Sequence, residues 1–276
     1  MNSVAKSLLK SIKHGRAAWL RSSSARSGKE HLRKLVLGIE TSCDDTGAAV
    51  VDDAGNVLGE ALHCQKEVHL QAGGIIPVVA QQLHRENIEQ VVKEVLSVSG
   101  VSVHELTAIA TTVKPGLALS LGVGLQYSLN LVKRCQKPFI PIHHMEAHAL
   151  TVRLTHHVEF PFLVLLLSGG HCLLAVAQGV SDFLLLGQSI DIAPGDMLDK
   201  VARRLSLRKH PECHSMAGGK AIEHLAQTGN RQQHTFRLPM QQYRNCHFSF
   251  SGLQNLVNKA IIQKEKEEGI FKQSQI

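Results

Sequence analysis

The sequence predicts an α/β fold made of two similar halves, and three observations support this. Apolar runs of strand length alternate with longer stretches of helical periodicity. A pattern of strand, small-residue turn, strand and strand occurs twice, beginning at Leu35 and at Phe162, about 127 residues apart. A chain of 276 residues, 43% of them hydrophobic, is long enough for two ordinary domains.

For the first half, the sequence predicts the element order βββαβαβα. The first three strands read as an antiparallel meander, and the first long helix begins at Pro77, a residue that helix N-termini favour. The predicted elements are strands at 35–40, 47–51 and 57–64, a helix at 77–97, a strand at 107–113, a helix at 117–134, a strand at 138–142, and a helix that opens at His144.

The second half begins in the same way and then differs. Its predicted elements are strands at 162–167, 172–177 and 183–187, and helices at 195–207, 218–227 and 251–267. By analogy with the first half, further strands should follow, so we expect an incomplete second half with an unpaired sheet edge and an uncovered apolar face. We place the halves at 35–158 and 159–276, and expect the turns 40–45 and 168–171 to meet at a cleft between them.

The charge of the chain is concentrated in a segment at its start. The net charge is +7, but residues 1–34 hold nine Lys and Arg against one acidic residue, so the remainder is about neutral. The segment is also amphipathic and serine-rich, which is typical of a mitochondrial transit peptide, with a disordered basic tail as the alternative. Basicity therefore gives no evidence for nucleic-acid binding by the rest of the chain.

Cysteine spacing and hydropathy exclude two further classes of protein. The six cysteines are scattered without a CxxC pair, so the sequence predicts neither a disulfide framework nor a cysteine zinc site. The apolar runs are too short to cross a bilayer, so we expect no membrane partner.

A histidine pair opens the helix after the fifth strand. His144 and His148 are four residues apart, so they would project from one face of the helix and could share a metal ion of the Zn or Fe type. Glu146 is not adjacent to His144, which excludes the HExxH arrangement of zinc proteases. Two solvated or hydrogen-bonded histidines are the alternative.

Two turns are candidates for binding a phosphate. The turn Ser168–His171 contains Gly169 and Gly170, whose backbone N–H groups could approach a phosphate closely, although an ordinary hairpin turn is the alternative. Asp44 and Asp45 follow the first strand and could hold a metal ion or a water near the same phosphate, or could simply be acidic turn residues.

Two helix starts are candidates for binding a nucleotide. Asp199, in the first turns of its helix, could accept hydrogen bonds from ribose hydroxyls, or could instead only pair with the helix dipole. Gly219 stands at the start of the next helix, where exposed N–H groups suit an anion; a flexible helix start is the alternative.

Together, the motifs resemble one family, the universal tRNA threonylcarbamoyladenosine transferases, and specifically their mitochondrial branch. The resemblance covers about residues 35–265 and is carried by the segments 37–46, 73–77, 115–117, 143–148, 168–171, 199–200 and 248–253. It implies the duplicated ribonuclease-H-like fold of actin and the sugar kinases.

The resemblance also implies an activity and its site residues. The threonylcarbamoyl group would pass from threonylcarbamoyl-AMP to the exocyclic amine of the adenosine 3′ of the anticodon, in mitochondrial tRNAs that read ANN codons. A separate synthase would supply the adenylate, and the enzyme would be a homodimer of the mitochondrial matrix. His144 and His148 would bind one divalent metal per subunit. The adenylate would be held by Leu167, Ser168, Gly169, Gly170, His171, Asp199 and Gly219.

The sequence departs from the family pattern in two ways. Ala147 and Lys114 stand where Gly is usual, which reads as lineage variation. The family's third metal ligand, an Asp, and a substrate-binding Asn belong to a later motif that the 276 residues do not contain, so we expect weak metal binding and little transferase activity from this form. The alternatives are a non-catalytic binding or regulatory form, and a small-molecule kinase of the same fold.

Overall fold

The computed structural model describes residues 33–230 and 232–269, which form two compact units. The first unit takes the described residues up to Phe162 together with Gln178–Asp182, and the second takes Leu163–Ala177 and the described residues from Phe183 onward. Both contain strands and helices, so the α/β class is confirmed. The predicted leader, residues 1–34, lies outside the described residues except for Arg33 and Lys34.

A five-stranded mixed sheet forms the first unit. Its strands are β1 (Leu35–Glu40), β2 (Asp45–Asp52), β3 (Val57–Cys64), β4 (Ala108–Lys114) and β5 (Phe139–His143). The spatial order is β3-β2-β1-β4-β5, with β1, β2 and β3 antiparallel and with β1, β4 and β5 parallel. The predicted meander is therefore confirmed, and the order is that of the ribonuclease-H-like half implied by the resemblance.

The helices of the first unit include one that the sequence did not predict. They are α1 (Lys66–Ala72), α2 (Pro77–Ser99), α3 (Ala118–Cys135), α4 (His144–Leu150) and α5 (Val152–Thr155), with a 3₁₀ turn at Val103–Glu105. The unpredicted helix is α1. It buries only His69, and so it lacks the apolar stripe by which a helix is recognised. It ends at Gly73, which has a positive φ of 81°.

Side chains of the sheet alternate between two apolar layers. Leu37, Ile39 and Val50 pack in one buried cluster with residues of α2 and α3, whereas Ala49, Ile142 and Ala147 belong to a second cluster that includes part of α4. Because successive residues of a strand point to opposite faces, the even-numbered residues of β1 face the second cluster. Glu40, the last residue of β1, is on this face.

The second unit repeats the opening of the first. Its elements are β6 (Phe162–Leu167), β7 (Cys172–Ala177), β8 (Phe183–Gln188), α6 (Pro194–Arg204), α7 (Gly218–Ala226) and α8 (Phe250–Glu267), with a 3₁₀ turn at Leu207–Lys209. The strands form a sheet of order β6-β7-β8. Strands that follow one another in the sequence are thus neighbours in the sheet, as are β1, β2 and β3 of the first unit. The predicted strands and helices are confirmed to within a few residues. The predicted approach of the turns 40–45 and 168–171 stays a prediction.

One face of this smaller sheet is apolar and exposed. Leu163, Leu165 and Leu167 alternate along β6 and are 65%, 52% and 58% exposed. Helix α8 packs on α6 instead, through two hydrogen bonds of 2.8 and 2.5 Å from the Arg204 guanidinium to the Glu265 carboxylate. The buried apolar side chains of this unit include Val164 of β6 and Met197, Val201 and Ala202 of α6.

No helix among residues 33–230 and 232–269 is long and apolar enough to cross a membrane. All six cysteines are free thiols, and Cys172 and Cys213 are buried.

A buried carboxylate, that of Asp52, lies at the end of strand β2 in the first sheet. Asp52 ends β2, and its oxygens accept hydrogen bonds from Arg33 at 2.6 Å and from the backbone and side chain of Asn56 at 2.7 and 2.8 Å. Burial alone raises the pKa of Asp52, but the hydrogen bonds of Arg33 and Asn56 outweigh it and lower the pKa from 3.8 to about 2. The ionised form is therefore the one that the folded chain stabilises.

We expect Asp52→Asn to lower the free energy of unfolding by about 1–2 kcal/mol at pH 7, a range that allows for screening of the half-exposed Arg33. Because the folded pKa lies below the unfolded one, this stabilisation is present above about pH 4 and is lost as the pH falls towards 2. Urea unfolding should show the difference between wild type and variant shrinking across that range. A difference that stays constant would contradict this account, and Glu94→Gln, at an exposed position on α2, is the control.

Candidate functional site

The histidine pair lies where β5 runs directly into α4. Strand β5 ends at His143 and α4 begins at His144, so the pair stands at the carboxyl end of a parallel strand. The Nε2 atoms of His144 and His148 are 3.1 Å apart, and the rings meet edge to face with centroids 4.4 Å apart. The structure thus brings the two predicted ligand atoms together.

The separation of these nitrogens fits a shared metal ion. Two donors bound about 2.1 Å from one cation are roughly 3.0–3.4 Å apart in octahedral or tetrahedral geometry. The pair would fill half of a four-coordinate shell. No set of three or more His, Cys, Asp or Glu side chains suited to a metal occurs among residues 33–230 and 232–269. The described part of the chain therefore offers a two-ligand site.

A buried carboxylate of strand β1, in the same sheet as β5, contacts the histidine pair. The Glu40 side chain is 3% exposed, and its Oε2 lies 3.3 Å from Nδ1 of His144. The same oxygen accepts a 2.5 Å hydrogen bond from Thr112 Oγ1, and Oε1 accepts one from the Ser42 N–H. Ser42 Oγ also lies 3.1 Å from Nδ1 of His144. Neither Glu40 nor Ser42 was among the site residues predicted from the sequence.

The pKa of Glu40 reflects two opposed effects. Burial raises it, but the hydrogen bond and charge of His144, and then the hydrogen bonds of Ser42 and Thr112, outweigh burial and hold the pKa below its usual value of 4.5. Glu40 is therefore a carboxylate at neutral pH. The signal in the sequence was an acidic residue that ends an otherwise apolar strand.

The loop after β1 is held by helix α3 through close backbone approach. The Leu117 N–H donates to the Ser42 carbonyl at 2.8 Å, and Thr41 Oγ1 donates to the Ser120 carbonyl at 2.9 Å. A Cβ at Gly116 would lie 2.5 Å from the Ser42 oxygen, and one at Gly124 would collide with the Thr41 side chain. Glycine at both positions lets the helix approach the loop that carries Ser42.

A buried imidazole fixes the other end of this loop. His84 of α2 donates from Nε2 to the Cys43 carbonyl at 3.0 Å and accepts at Nδ1 from Thr46 Oγ1 at 2.7 Å. Burial lowers the pKa of His84, so it stays neutral. Asp44 and Asp45 lie between these two anchors, both half-buried. Partial burial of the thiol, and then the charge of Asp44, raise the pKa of Cys43 to about 12.

In the second unit, the predicted glycine turn follows β6 directly. Leu167 ends β6, and Ser168 Oγ accepts hydrogen bonds from the N–H groups of Gly170 and His171 at 3.2 and 2.9 Å. These two amides are thus engaged within the turn. A Cβ built at Gly169 or Gly170 meets no atom within 4 Å, so one side of the turn is open.

The other predicted binding residues of this unit lie on helices next to the turn. The Gly195 N–H donates to the Ser168 carbonyl at 3.3 Å, which places the start of α6 against the turn. Further along α6, Asp199 Oδ1 accepts a hydrogen bond from the Gly219 N–H, the second residue of α7, at 3.2 Å. All seven predicted substrate-binding residues thus lie in the second unit, and Asp199 caps the start of α7.

Asp191 has a structural role in the same unit. Its Oδ1 accepts from the N–H groups of Phe250 and Ser251 at 2.9 and 3.2 Å, and its Oδ2 accepts from Ser249 Oγ at 2.7 Å. Asp191 therefore holds the start of α8, together with the N-cap residue Ser249.

Comparison with known proteins gives one family. A family model described as tRNA N6-adenosine threonylcarbamoyltransferase matches residues 56–274. The chain is 70% identical over 254 residues to a human protein named mitochondrial tRNA N6-adenosine threonylcarbamoyltransferase, a match that covers 92% of this chain and 61% of the human one. A rat protein of the same name is 74% identical over 239 residues, covering 87% of this chain and 58% of its own. The chain thus spans about three-fifths of the length of these relatives.

Among solved structures, a Pseudomonas aeruginosa protein described as similar to the peptidase YeaZ aligns with a TM-score of 0.38 and 17% identity. The alignment covers 55% of this chain and 63% of that one.

Two glycines of α3 provide a matched test of the contact with the loop. We expect Gly124→Ala to cost about 1–3 kcal/mol of unfolding free energy, because the new methyl group would displace the buried Thr41 side chain. Gly122→Ala, in the same helix, meets no atom within 4 Å and should be neutral or stabilising by up to about 1 kcal/mol. Urea unfolding of both variants is the measurement, and equal effects would show that the contact does not constrain the loop.

Proposed function

Because the chain belongs to the tRNA N6-adenosine threonylcarbamoyltransferase family, we propose that it serves the transfer of a threonylcarbamoyl group from threonylcarbamoyl-AMP to tRNA. The acceptor is the exocyclic amine of the adenosine 3′ of the anticodon, in mitochondrial tRNAs that read ANN codons. The observation that carries the proposal is the pair of imidazole nitrogens 3.1 Å apart at the end of β5.

His144 and His148 would hold one divalent cation of the Zn or Fe type. The chemistry that such a cation supplies when bound is polarisation of an acyl oxygen and neutralisation of the charge that develops on it. The contribution of the chain itself is to keep the two imidazoles at a fixed separation, because α4 sets their spacing and Glu40 contacts His144 from the sheet.

The turn 168–171 and the two helix starts beside it would hold the adenylate. The open side of Gly169 and Gly170 would admit a phosphate close to the backbone, and the Oδ2 atom of Asp199 would accept a ribose hydroxyl while its Oδ1 holds α7. The acidic residues Asp44 and Asp45 would orient a water molecule or a cation near the acyl group.

The reaction needs no nucleophile from the protein. The amine nitrogen of adenosine attacks the carbamoyl carbon, the bond from that carbon to the phosphate oxygen breaks, and AMP leaves as the amine loses a proton. An activated mixed anhydride requires chiefly that the two reactants be held in position. The raised pKa of Cys43, to about 12, is consistent with this direct route.

The names of the relatives and the surface of the first unit support the proposed location and partners. Both quoted mammalian relatives are named as mitochondrial, and with the predicted leader at residues 1–34 this supports a matrix location. A separate synthase would supply threonylcarbamoyl-AMP. A homodimer is supported by apolar side chains around the end of α1 and the start of α2, where Val68, Ile75, Ile76 and Val78 are 43%, 40%, 44% and 65% exposed.

We expect His144→Ala and His148→Ala each to weaken Zn²⁺ or Co²⁺ binding to the chain at least about tenfold, because one of only two protein ligands is removed. Titration calorimetry on the metal-depleted chain measures this. His104→Ala, at an exposed position far along the sequence from the pair, is the matched control and should bind metal as the wild type does.

The transferase assay uses threonylcarbamoyl-AMP, unmodified mitochondrial tRNA and mass spectrometry of the nucleosides, with the human relative as a positive control. Any modified adenosine that the chain forms should disappear with His144→Ala and persist with His104→Ala. Product that is unaffected by His144→Ala would refute the metal assignment.

A further inference from the structure

Glu40 is a buried carboxylate that contacts three other parts of the first unit, namely the loop after β1, strand β4 and helix α4. Its carboxylate lies between β1, β4 and α4, and it is aimed at one nitrogen of one histidine. A carboxylate 3% exposed is costly unless its oxygens are hydrogen-bonded. Thr112 and the Ser42 N–H supply two donors, and His144 stands at the remaining position.

The negative charge of Glu40 beside Nδ1 favours one of the two ring nitrogens of His144 as the site of its proton. The Ser42 N–H can only donate, and Thr112 donates to the other oxygen, so both oxygens of Glu40 act as acceptors. A lone pair on Nδ1 of His144 would face the negative Oε2 at 3.3 Å and be repelled. A proton on Nδ1 is attracted to Oε2 and also lies within reach of Ser42 Oγ at 3.1 Å.

We propose that Glu40 is the positioning residue of the histidine pair, and that it holds His144 as the Nδ1–H tautomer so that its Nε2 lone pair lies beside Nε2 of His148. The inference rests on the proposed metal site, in which these two nitrogens, 3.1 Å apart, would bind the same cation. With the Nε2–H tautomer, a proton would occupy the space that the two lone pairs must share.

Glu40 is itself held by elements of the sheet. Thr112 is the fifth residue of β4 and is completely buried, and Ser42 is fixed to α3 through its carbonyl group. Hydrogen-bond contacts therefore connect Thr112 to Glu40, Glu40 to His144, and His144 to His148. Because each step is a hydrogen-bond contact between buried or half-buried groups, the orientation of the His144 ring is set before any ligand binds.

The substitution Glu40→Gln reverses this polarity at nearly constant volume. The amide oxygen can still accept from the Ser42 N–H, which turns the amide NH₂ group towards Thr112 and His144. An NH₂ group can only donate, so Nδ1 of His144 becomes the acceptor and its proton moves to Nε2. The variant thus changes the tautomer and not merely the packing.

Asp52→Asn is the matched control. Asp52 is also a buried carboxylate of the first sheet, 5% exposed, and it pairs with Leu35 at the opposite end of β1 from Glu40. Its loss destabilises the same unit without touching His144. Any effect that arises from a general loosening of the sheet should appear in both variants, whereas an effect on the tautomer should appear only in Glu40→Gln.

The first experiment is ¹⁵N NMR of the histidine rings in the metal-free chain, with the His144 signals assigned from their loss in His144→Ala. We expect the wild type and Asp52→Asn to show His144 protonated at Nδ1, and Glu40→Gln to show it protonated at Nε2. An Nε2–H signal in the wild type would overturn the proposal, and so would a folded Glu40→Gln chain that keeps the Nδ1–H form. The wild-type measurement decides the question even if Glu40→Gln does not fold.

The second experiment is calorimetric titration of Zn²⁺ or Co²⁺ into the same three proteins. We expect the affinity of Glu40→Gln to fall about 10–100-fold and that of Asp52→Asn to stay within about threefold of wild type. Unchanged affinity in Glu40→Gln would overturn the positioning role. If the tautomer changes as expected but the wild type binds no metal, then the proposed metal function fails while the assignment of Glu40 to His144 stands.

Discussion

The candidate site of the first unit depends on the contact between a buried carboxylate and an imidazole. Glu40 ends the central strand β1, and alternation of side chains along that strand directs it to the face where Ile142 and Ala147 pack. Helix α4 begins on this face immediately after β5, so His144 arrives beside Glu40 without an intervening loop. A shift of one residue in the pairing of β1 would turn the carboxylate into the opposite apolar layer, where no donor of α4 could reach it. The pairing register of β1 therefore determines whether Glu40 can contact His144.

The loop that follows β1 is kept in place from two sides. Helix α3 approaches it so closely that only glycine fits at Gly116 and Gly124, and the neutral imidazole of His84 binds it from α2. Between these anchors the chain presents Ser42 to His144 and carries Asp44 and Asp45. Such fixed polar groups suit a reaction in which two reactants must be positioned and no protein nucleophile takes part. The raised pKa of Cys43 is consistent with a reaction that uses no protein nucleophile.

In the second unit, the glycine turn after β6 is held by hydrogen bonds of its own and is open on one side. Ser168 satisfies two amides of its own turn, and Gly195 ties the start of α6 to the same residue. Asp199 and Asp191 each cap a helix, so two of the acidic residues that could bind ligand hydroxyls are partly engaged in the fold. The proposed adenylate site would accordingly use the open side of Gly169 and Gly170 and the second oxygen of Asp199.

The strands and long helices, the repeat of the meander, the spacing of His144 and His148, and the glycine turn could all be predicted from the sequence, because each is encoded in residues close together along the chain. The sequence pattern missed α1, which buries a histidine and not an apolar stripe. Three contacts depend on the folded chain: Glu40 contacts His144, 104 residues away, Asp199 caps α7, and Asp191 holds α8 from 59 residues away. Such partners are chosen by strand register and helix packing, which bring together side chains that no local pattern relates.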